Sequence, residues 1–418
     1  MTPVVTSDTH VAGAIALGQQ VGAVAGLHAA RHDAESSFVS EAYEAVRETG
    51  YNLLAVPTDL GGLGHGLLGV CRAQAAIGRQ CASTSLAIAM HQHAVMTFAW
   101  RRIQGDDEAE RALRIVVEEG LILSATGTLN PANISVEAEP CDGGFVITGR
   151  RRLCSGSPGA DVLVTAANLV LPEGRRPITL LAPLQVDGVE VIDDWYALGM
   201  RGSGSNSVEF TESFVPREYA LYVDEPASLP RFRQNGGGRG SVRSAANPGG
   251  NRGPGDRPLG IRQPGLHVSL QIIAATYLGA ATGVRDLALQ TTAGTPRADN
   301  PSTRRLAGLL VHEVRSAWWA LQGMVAQTDD ASLGSTAQMV TTMLGKRQIV
   351  LSSIRAAELA MEMLGSRSYL TGSVFERVLR DVRAGITHPL TPEQTLPAVG
   401  AAALAEAAEA AATARLPD

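Results

Sequence analysis

Three groups of residues in this 418-residue chain have types and spacings that suit chemistry. The first is histidine: His388 in Ile386-Thr387-His388-Pro389, and His91 and His93 inside a long apolar stretch. Histidine titrates near neutrality, so it can serve as acid, base or hydrogen-bond donor. A histidine before proline is also an ordinary loop residue, and one on an apolar helix is often a satisfied core side chain. The second group sets hydroxyls beside glycine: Ala125-Thr126-Gly127-Thr128, Cys154-Ser155-Gly156-Ser157 and Gly365-Ser366. Glycine lets backbone approach a ring or a pyrophosphate where a Cβ would collide. Taken alone, Ser155 reads equally as a turn hydroxyl and Gly365-Ser366 as a helix stop. The third is Trp195, a flat surface for stacking or a buried anchor. Cys71, Cys81, Cys141 and Cys154 form no CxxC pair, so neither a zinc ribbon nor a disulfide framework is indicated, and no metal site is expected.

The net charge is -6, which argues against a nucleic-acid grip spread over the surface. Lys346 is the only lysine among 35 basic residues, a skew resembling the codon bias of a GC-rich bacterial genome. The N-terminus lacks a basic region ahead of its apolar residues, and no uninterrupted apolar run approaches the ~18 residues of a membrane span. The expectation is a cytoplasmic protein with no membrane partner.

The elements that must position these residues come in the order helix, sheet, helix. Residues 1–120 read as an N-terminal helical domain, with Gly50 ending a helix from Ser40 and a long Ala/Leu-rich helical stretch from Leu67 to Trp100. Residues 121–228 read as a middle β domain, with β-branched runs at 145–148, 161–165, 178–181 and 207–210. Residues 229–265 are a Gly/Arg/Pro-rich insert with almost no apolar anchor, either a loop or a coding accident of GC-rich DNA. Residues 266–400 return to helical periods, and 401–418 form an Ala-rich tail.

Four ordered motifs then resemble the acyl-CoA dehydrogenase superfamily of flavoproteins. They are Val56-Pro57-Thr58-Asp59-Leu60-Gly61-Gly62-Leu63-Gly64 with Ala82-Ser83-Thr84-Ser85; Asp142-Gly143-Gly144-Phe145 running into Leu153-Cys154-Ser155; Leu198-Gly199-Met200-Arg201-Gly202-Ser203-Gly204-Ser205; and Leu364-Gly365-Ser366 followed by Glu376-Arg377 and Arg380-Asp381. The resemblance implies an α+β multidomain fold: an N-terminal all-α domain, a middle β-barrel and a C-terminal four-helix bundle. It implies FAD, with FMN left open because the family's RxxFG motif has no clean match between Arg297 and Gly308. It sets Thr126, Thr128, Cys154, Ser155 and Trp195 beside the flavin, and Gly365 and Ser366 at the flavin of a neighbouring subunit in a homo-oligomer, a dimer or tetramer. His91 and Ser269 fall where the substrate would lie.

One departure from the family bears on the reaction. Acyl-CoA dehydrogenation removes an α-proton with a carboxylate, usually shortly after the RD motif. Counting from Arg380-Asp381, that position is Pro389; the alternative position, opening the last domain, is Ser269. Glu376 and Glu393 remain as displaced candidates, with Glu376 better suited to an ion pair. His388 beside the empty position, together with Ser155, is similar to the flavin-dependent monooxygenase branch, which uses reduced flavin from a separate reductase and O2. Both residues would then act in catalysis as hydrogen-bond partners. The expected function is therefore flavin-dependent oxidation of an acyl thioester or similar small hydrophobic substrate. The alternatives are two-component monooxygenation and a catalytically silent scaffold.

Overall fold

The computed structural model describes residues 11–126, 134–223, 264–328 and 335–413. Five helices lead the chain: α1 (Val11–Glu35), α2 (Ser40–Thr49), α3 (Leu67–Gly78), α4 (Ala82–Ile103) and α5 (Asp107–Glu118). Gly50 ends α2 in the left-handed region, φ 70°, with its N–H returned to Arg47 O. The stretch expected as one helix from Leu67 to Trp100 breaks at Arg79-Gln80-Cys81. There the Cys81 sulfur caps α4 by accepting from the Thr84 N–H, a role that apolar periodicity does not reveal.

The middle of the chain forms one eight-stranded sheet: β1 (Leu123–Thr126), β2 (Val136–Cys141), β3 (Gly144–Ser155), β4 (Val162–Leu171), β5 (Gly174–Pro183), β6 (Val189–Ile192), β7 (Asn206–Pro216) and β8 (Ala220–Leu221). The order is β6-β7-β3-β1-β4-β5-β8, and β2 shares with β1 the slot between β3 and β4. The β runs expected from sequence fall in these strands, apart from Asp161, which precedes β4. Five further helices follow: α6 (Pro264–Thr292), α7 (Pro301–Ala326), α8 (Thr336–Leu364), α9 (Val374–Thr387) and α10 (Pro392–Thr413). Residues 401–413 thus continue α10 and are not a separate tail. The insert at 229–265 lies, but for its last two residues, outside the described residues.

Two cores organise the molecule. A small one fills one side of the sheet, from Val136 and Ile147 to Phe210 and Val215. A large one runs without interruption from α1 through α3 and α4 into α6, α8 and α9, and takes in the other face of the sheet through Leu123, Ala125, Val162, Val164 and Leu181. The two helical blocks read from sequence therefore share one interior. The length and mean hydropathy of α1 and α6 reach those of a membrane span, but most of the α6 stretch is buried against other helices.

Helix α3 is wedged between α1 and α6, and glycine makes that possible. A Cβ on Gly18 of α1 would lie 2.3 Å from Ala73 O, and one on Gly279 of α6 would lie 2.3 Å from Ala75 O. Backbone against backbone cannot yield as a flexible side chain can. Gly279→Ala is therefore expected to lower unfolding stability by roughly 2 kcal/mol or more. Gly308→Ala, on the exposed face of α7 with open space around it, should raise it by about 0.5–1 kcal/mol. Denaturant melts of both variants check this; a neutral Gly279→Ala would contradict the close crossing.

Candidate active site

The motif at 198–205 and the Arg380-Asp381 pair meet across the junction of sheet and bundle. A Cβ on Gly199 would lie 2.4 Å from Arg380 O, so only glycine allows α9 this close. Asp381 is buried and accepts the Met200 N–H at 2.5 Å, while the Met200 carbonyl accepts Trp195 Nε1–H at 2.9 Å. Met200 sits at φ 55°, a region unfavourable for a side chain, and is held there from both sides. Arg380 adds a second tie, pairing with Asp33 of α1 at 2.6 Å and with Glu376 at 2.5 Å, and donating to Leu198 O. Burial outweighs the Met200 hydrogen bond and pushes the Asp381 carboxyl up to about 6.

That junction presents a file of hydroxyls. Strand β3 is irregular between Arg151 and Cys154, with Leu153 at φ 59°. Beyond it Cys154 points into the sheet core, while Leu153 is 63% exposed and Ser155 half-buried. Burial pushes the Cys154 thiol up to about 12, so it stays protonated, and only its backbone is left to meet a ligand. Ser155 Oγ lies 2.8 Å from Ser205 Oγ, which lies 2.8 Å from Ser203 Oγ. Ser203 is fully buried, so a spare proton at that end would be stranded. The favourable direction runs outward: Ser203 donates to Ser205, Ser205 donates to Ser155, and Ser155 has an O–H to offer. Ser124 Oγ fixes the Ser155 carbonyl at 2.9 Å. Thr126 pairs with Cys154 across the strands and accepts from Arg151 at 2.8 Å. Thr128 lies outside the described residues.

His388 stands at the other end of α9, two turns beyond Asp381, where the helix stops. Gly385 lets this end approach α6 and α8, since a Cβ there would lie 2.8 Å from Val350 and 3.2 Å from Tyr277. Lys346 of α8, buried, donates to Gly385 O at 2.8 Å and to His388 O at 2.9 Å. An ammonium at a helix C-terminus also meets the negative end of the dipole. The Tyr277 hydroxyl lies 2.5 Å from His388 Nδ1. Burial, and after it the Lys346 charge, pulls His388 down to about 4, so its ring is neutral at pH 7.

The remaining candidates are placed elsewhere. His91 is fully buried: Nε2–H donates to Asn52 O at 2.6 Å, and Nδ1 accepts from Leu123 N–H at 3.0 Å. Both nitrogens are spent on backbone, so the ring has no polar atom for a substrate and instead pins α4 to β1. Ser269 is half-buried on α6, two turns before Tyr277. Gly365 and Ser366 form an exposed cap on α8, with Gly365 bonded only to its own turn among the described residues. Trp195 is partly buried against the helical core and anchors the 195–200 turn. Glu376 is held by Arg380, and Glu393 is exposed in the first turn of α10; among the described residues neither carboxylate is hydrogen-bonded to His388. Among the described residues no cluster of His, Cys, Asp and Glu has the makings of a metal site. Tyr277, Lys346, Ser203 and Ser205 were not singled out by sequence reasoning. Ser203 and Ser205 lay inside a quoted motif, and Lys346 signalled itself only by being the one lysine.

The scaffold that holds this arrangement carries a family signature. Residues 22–108 match the N-terminal domain of acyl-CoA dehydrogenase and residues 271–393 match its C-terminal domain, half of the chain between them; the chain belongs to the acyl-CoA dehydrogenase superfamily of flavoproteins. It is 27% identical over 356 residues to isobutylamine N-hydroxylase of Streptomyces viridifaciens, covering 81% of this chain and 82% of that protein. It is also 27% identical over 380 residues to an amino sugar nitrososynthase of Streptomyces peucetius, covering 86% and 84%. Its fold matches that of FMN-bound TdsC, a dibenzothiophene monooxygenase from Paenibacillus sp. A11-2, with TM-score 0.73 over 93% of this chain and 96% of that one at 21% identity.

The junction makes a pH-dependent prediction. A folded-state value of about 6 for Asp381, above the ordinary 3.8, means that ionisation penalises the fold. Its contribution is fully present below about pH 4 and is lost as pH rises through about 6. Asp381→Asn keeps an acceptor for the Met200 N–H without the charge. Thermal melts should show the variant unchanged near pH 4 and more stable above pH 6, by roughly 2–3 kcal/mol. Equal destabilisation at both pH values would mean that the charge itself holds the junction.

Proposed function

We propose that this chain is the oxygenase of a two-component flavin-dependent monooxygenase. It would take reduced flavin, FMN in preference to FAD, from a separate reductase and oxidise a small amine or similar heteroatom nucleophile. One oxygen atom of O2 enters the substrate and the other leaves as water, with both electrons coming from the reduced flavin. The observation that carries this reading is His388, a neutral ring beside the position where a dehydrogenase needs a carboxylate. Relatives named for amine N-oxidation over four fifths of the chain support the substrate class.

The residues present fit a flavin. Leu153 is an exposed apolar face beside the outward-directed hydroxyl of Ser155, as a flat ring with polar edges needs. His388 Nε2 has no protein partner among the described residues and is left to meet a ligand. Flavin, when bound, supplies the activation of oxygen. The chain's own task is then to hold donors on that chemistry and to keep water away from it. Ser155 donates from the sheet and His388 from the end of α9; buried Tyr277 and Lys346 give His388 a dry back wall. Abstraction of an α-proton from an acyl thioester would need a base that neither Glu376 nor Glu393 provides. Leu344 and Leu351, seven residues apart on α8, and Trp319 on α7 are exposed apolar side chains that support self-association.

The test is coupling. Purified protein is supplied with reduced FMN, O2 and a primary aliphatic amine, and the oxygen consumed is divided between hydroxylated product and hydrogen peroxide. His388→Ala is expected to divert at least tenfold more oxygen to peroxide, the scale of one lost charge-stabilising donor. Product formation independent of His388, or reduction of the flavin by acyl-CoA, would overturn the reading.

A further inference from the structure

We propose that Tyr277 is a positioning residue that sets which ring nitrogen of His388 carries the proton, with Lys346 fixing the backbone from which that ring hangs. The inference rests on the reading of His388 as a donor in the flavin site, and it concerns how the donor is prepared.

Hydrogen-bond satisfaction decides where the proton sits. Tyr277 is fully buried on α6, and among the described residues its hydroxyl has a single partner, His388 Nδ1. If Nδ1 carried the proton, it would donate to the tyrosine oxygen, and the phenolic hydrogen would be left in the interior with no acceptor among the described residues. An unpaired buried donor is disfavoured by far more than the small difference between imidazole tautomers. The phenol therefore donates, Nδ1 accepts, and the proton of the neutral ring resides on Nε2. Burial holds the Tyr277 hydroxyl well above its ordinary value, so it keeps its proton at neutral pH. Nε2 is the nitrogen with no protein partner among the described residues, on a half-buried side chain.

The backbone is fixed independently. Lys346 donates to the carbonyls of both Gly385 and His388, and His388 N–H returns to Ala384 O at 3.0 Å. These bonds hold the residue at the helix stop while Tyr277 turns its ring. Tyr277 at α6 and Lys346 at α8 thus supply, from two different helices, what a carboxylate or backbone carbonyl supplies to many functional histidines: a fixed tautomer and a fixed aim. No other lysine exists in the chain to take the second role.

The experiment reads the ring itself, without cofactor or turnover. Protein labelled with 15N-histidine is observed by NMR at neutral pH, with the His388 signals identified by their loss in His388→Gln. In the wild type, His388 should show an unprotonated Nδ1 and a protonated Nε2. In Tyr277→Phe both signals should move toward the averaged positions of a free imidazole, while the thermal transition confirms that the fold is kept. A wild-type His388 protonated at Nδ1 overturns the proposal, and so does an unchanged tautomer in Tyr277→Phe. Should Tyr277→Phe fail to fold, the wild-type spectrum alone decides. The coupling assay separates this from the functional reading: Tyr277→Phe should lower coupling about fivefold, the worth of one ordinary hydrogen bond. An Nε2–H tautomer lost in Tyr277→Phe, with coupling indifferent to His388→Ala, would refute the functional reading and leave the tautomer assignment standing.

Discussion

The close contact between α9 and the turn at 199–204 is the constraint on which the candidate site depends. Three groups make it: a glycine with no side chain at Gly199, a left-handed Met200, and the buried Asp381 carboxylate that takes the Met200 N–H. It ties the turn leading into β7, the strand paired with the one that carries Ser155, directly to the helix that ends on His388. The turn also carries Ser203 and Ser205, so the junction that docks the helix orders the hydroxyl file as well. Arg380 extends the tie to α1 through Asp33, and so three parts of the chain converge on one pair of residues.

Both donors at the site obtain their direction from what lies behind them. Behind Ser155 stand two further serines, the innermost fully buried; behind His388 stands a fully buried tyrosine. In each case the buried end has no alternative partner among the described residues, and the cost of stranding a proton there turns the hydrogen bonds outward. Such preorganisation suits a reaction that needs donors held still around developing charge. It does not suit the removal of a proton by a carboxylate, which needs an acceptor.

Much of the architecture was legible in the sequence because it follows from local pattern. The strands of the sheet and the stop at Gly50 rest on alternation and on a left-handed glycine, both visible in a window of ten residues. The family motifs were legible too, but their physical content was not. Gly199, Asp381 and Ser205 became a latch and a relay only when residues 181 apart in the chain were brought together. Tyr277 was invisible because a tyrosine on an apolar helix looks like core, which it also is. His91 illustrates the converse: its setting suited either a ligand or a core histidine, and only the positions of Asn52 O and Leu123 N decided. The one lysine among 35 basic residues, Lys346, sits behind His388.

A crystal structure with FMN bound tests the central claim most directly, namely that Ser155 and His388 serve one flavin from opposite sides of the α9 junction. The account predicts the ring against Leu153, with Ser155 Oγ and His388 Nε2 both within ~3.5 Å of polar atoms of the ring or of a water at its edge. A ring bound with either side chain turned away, or with a carboxylate of this chain beside it in the place assigned to His388, would contradict it.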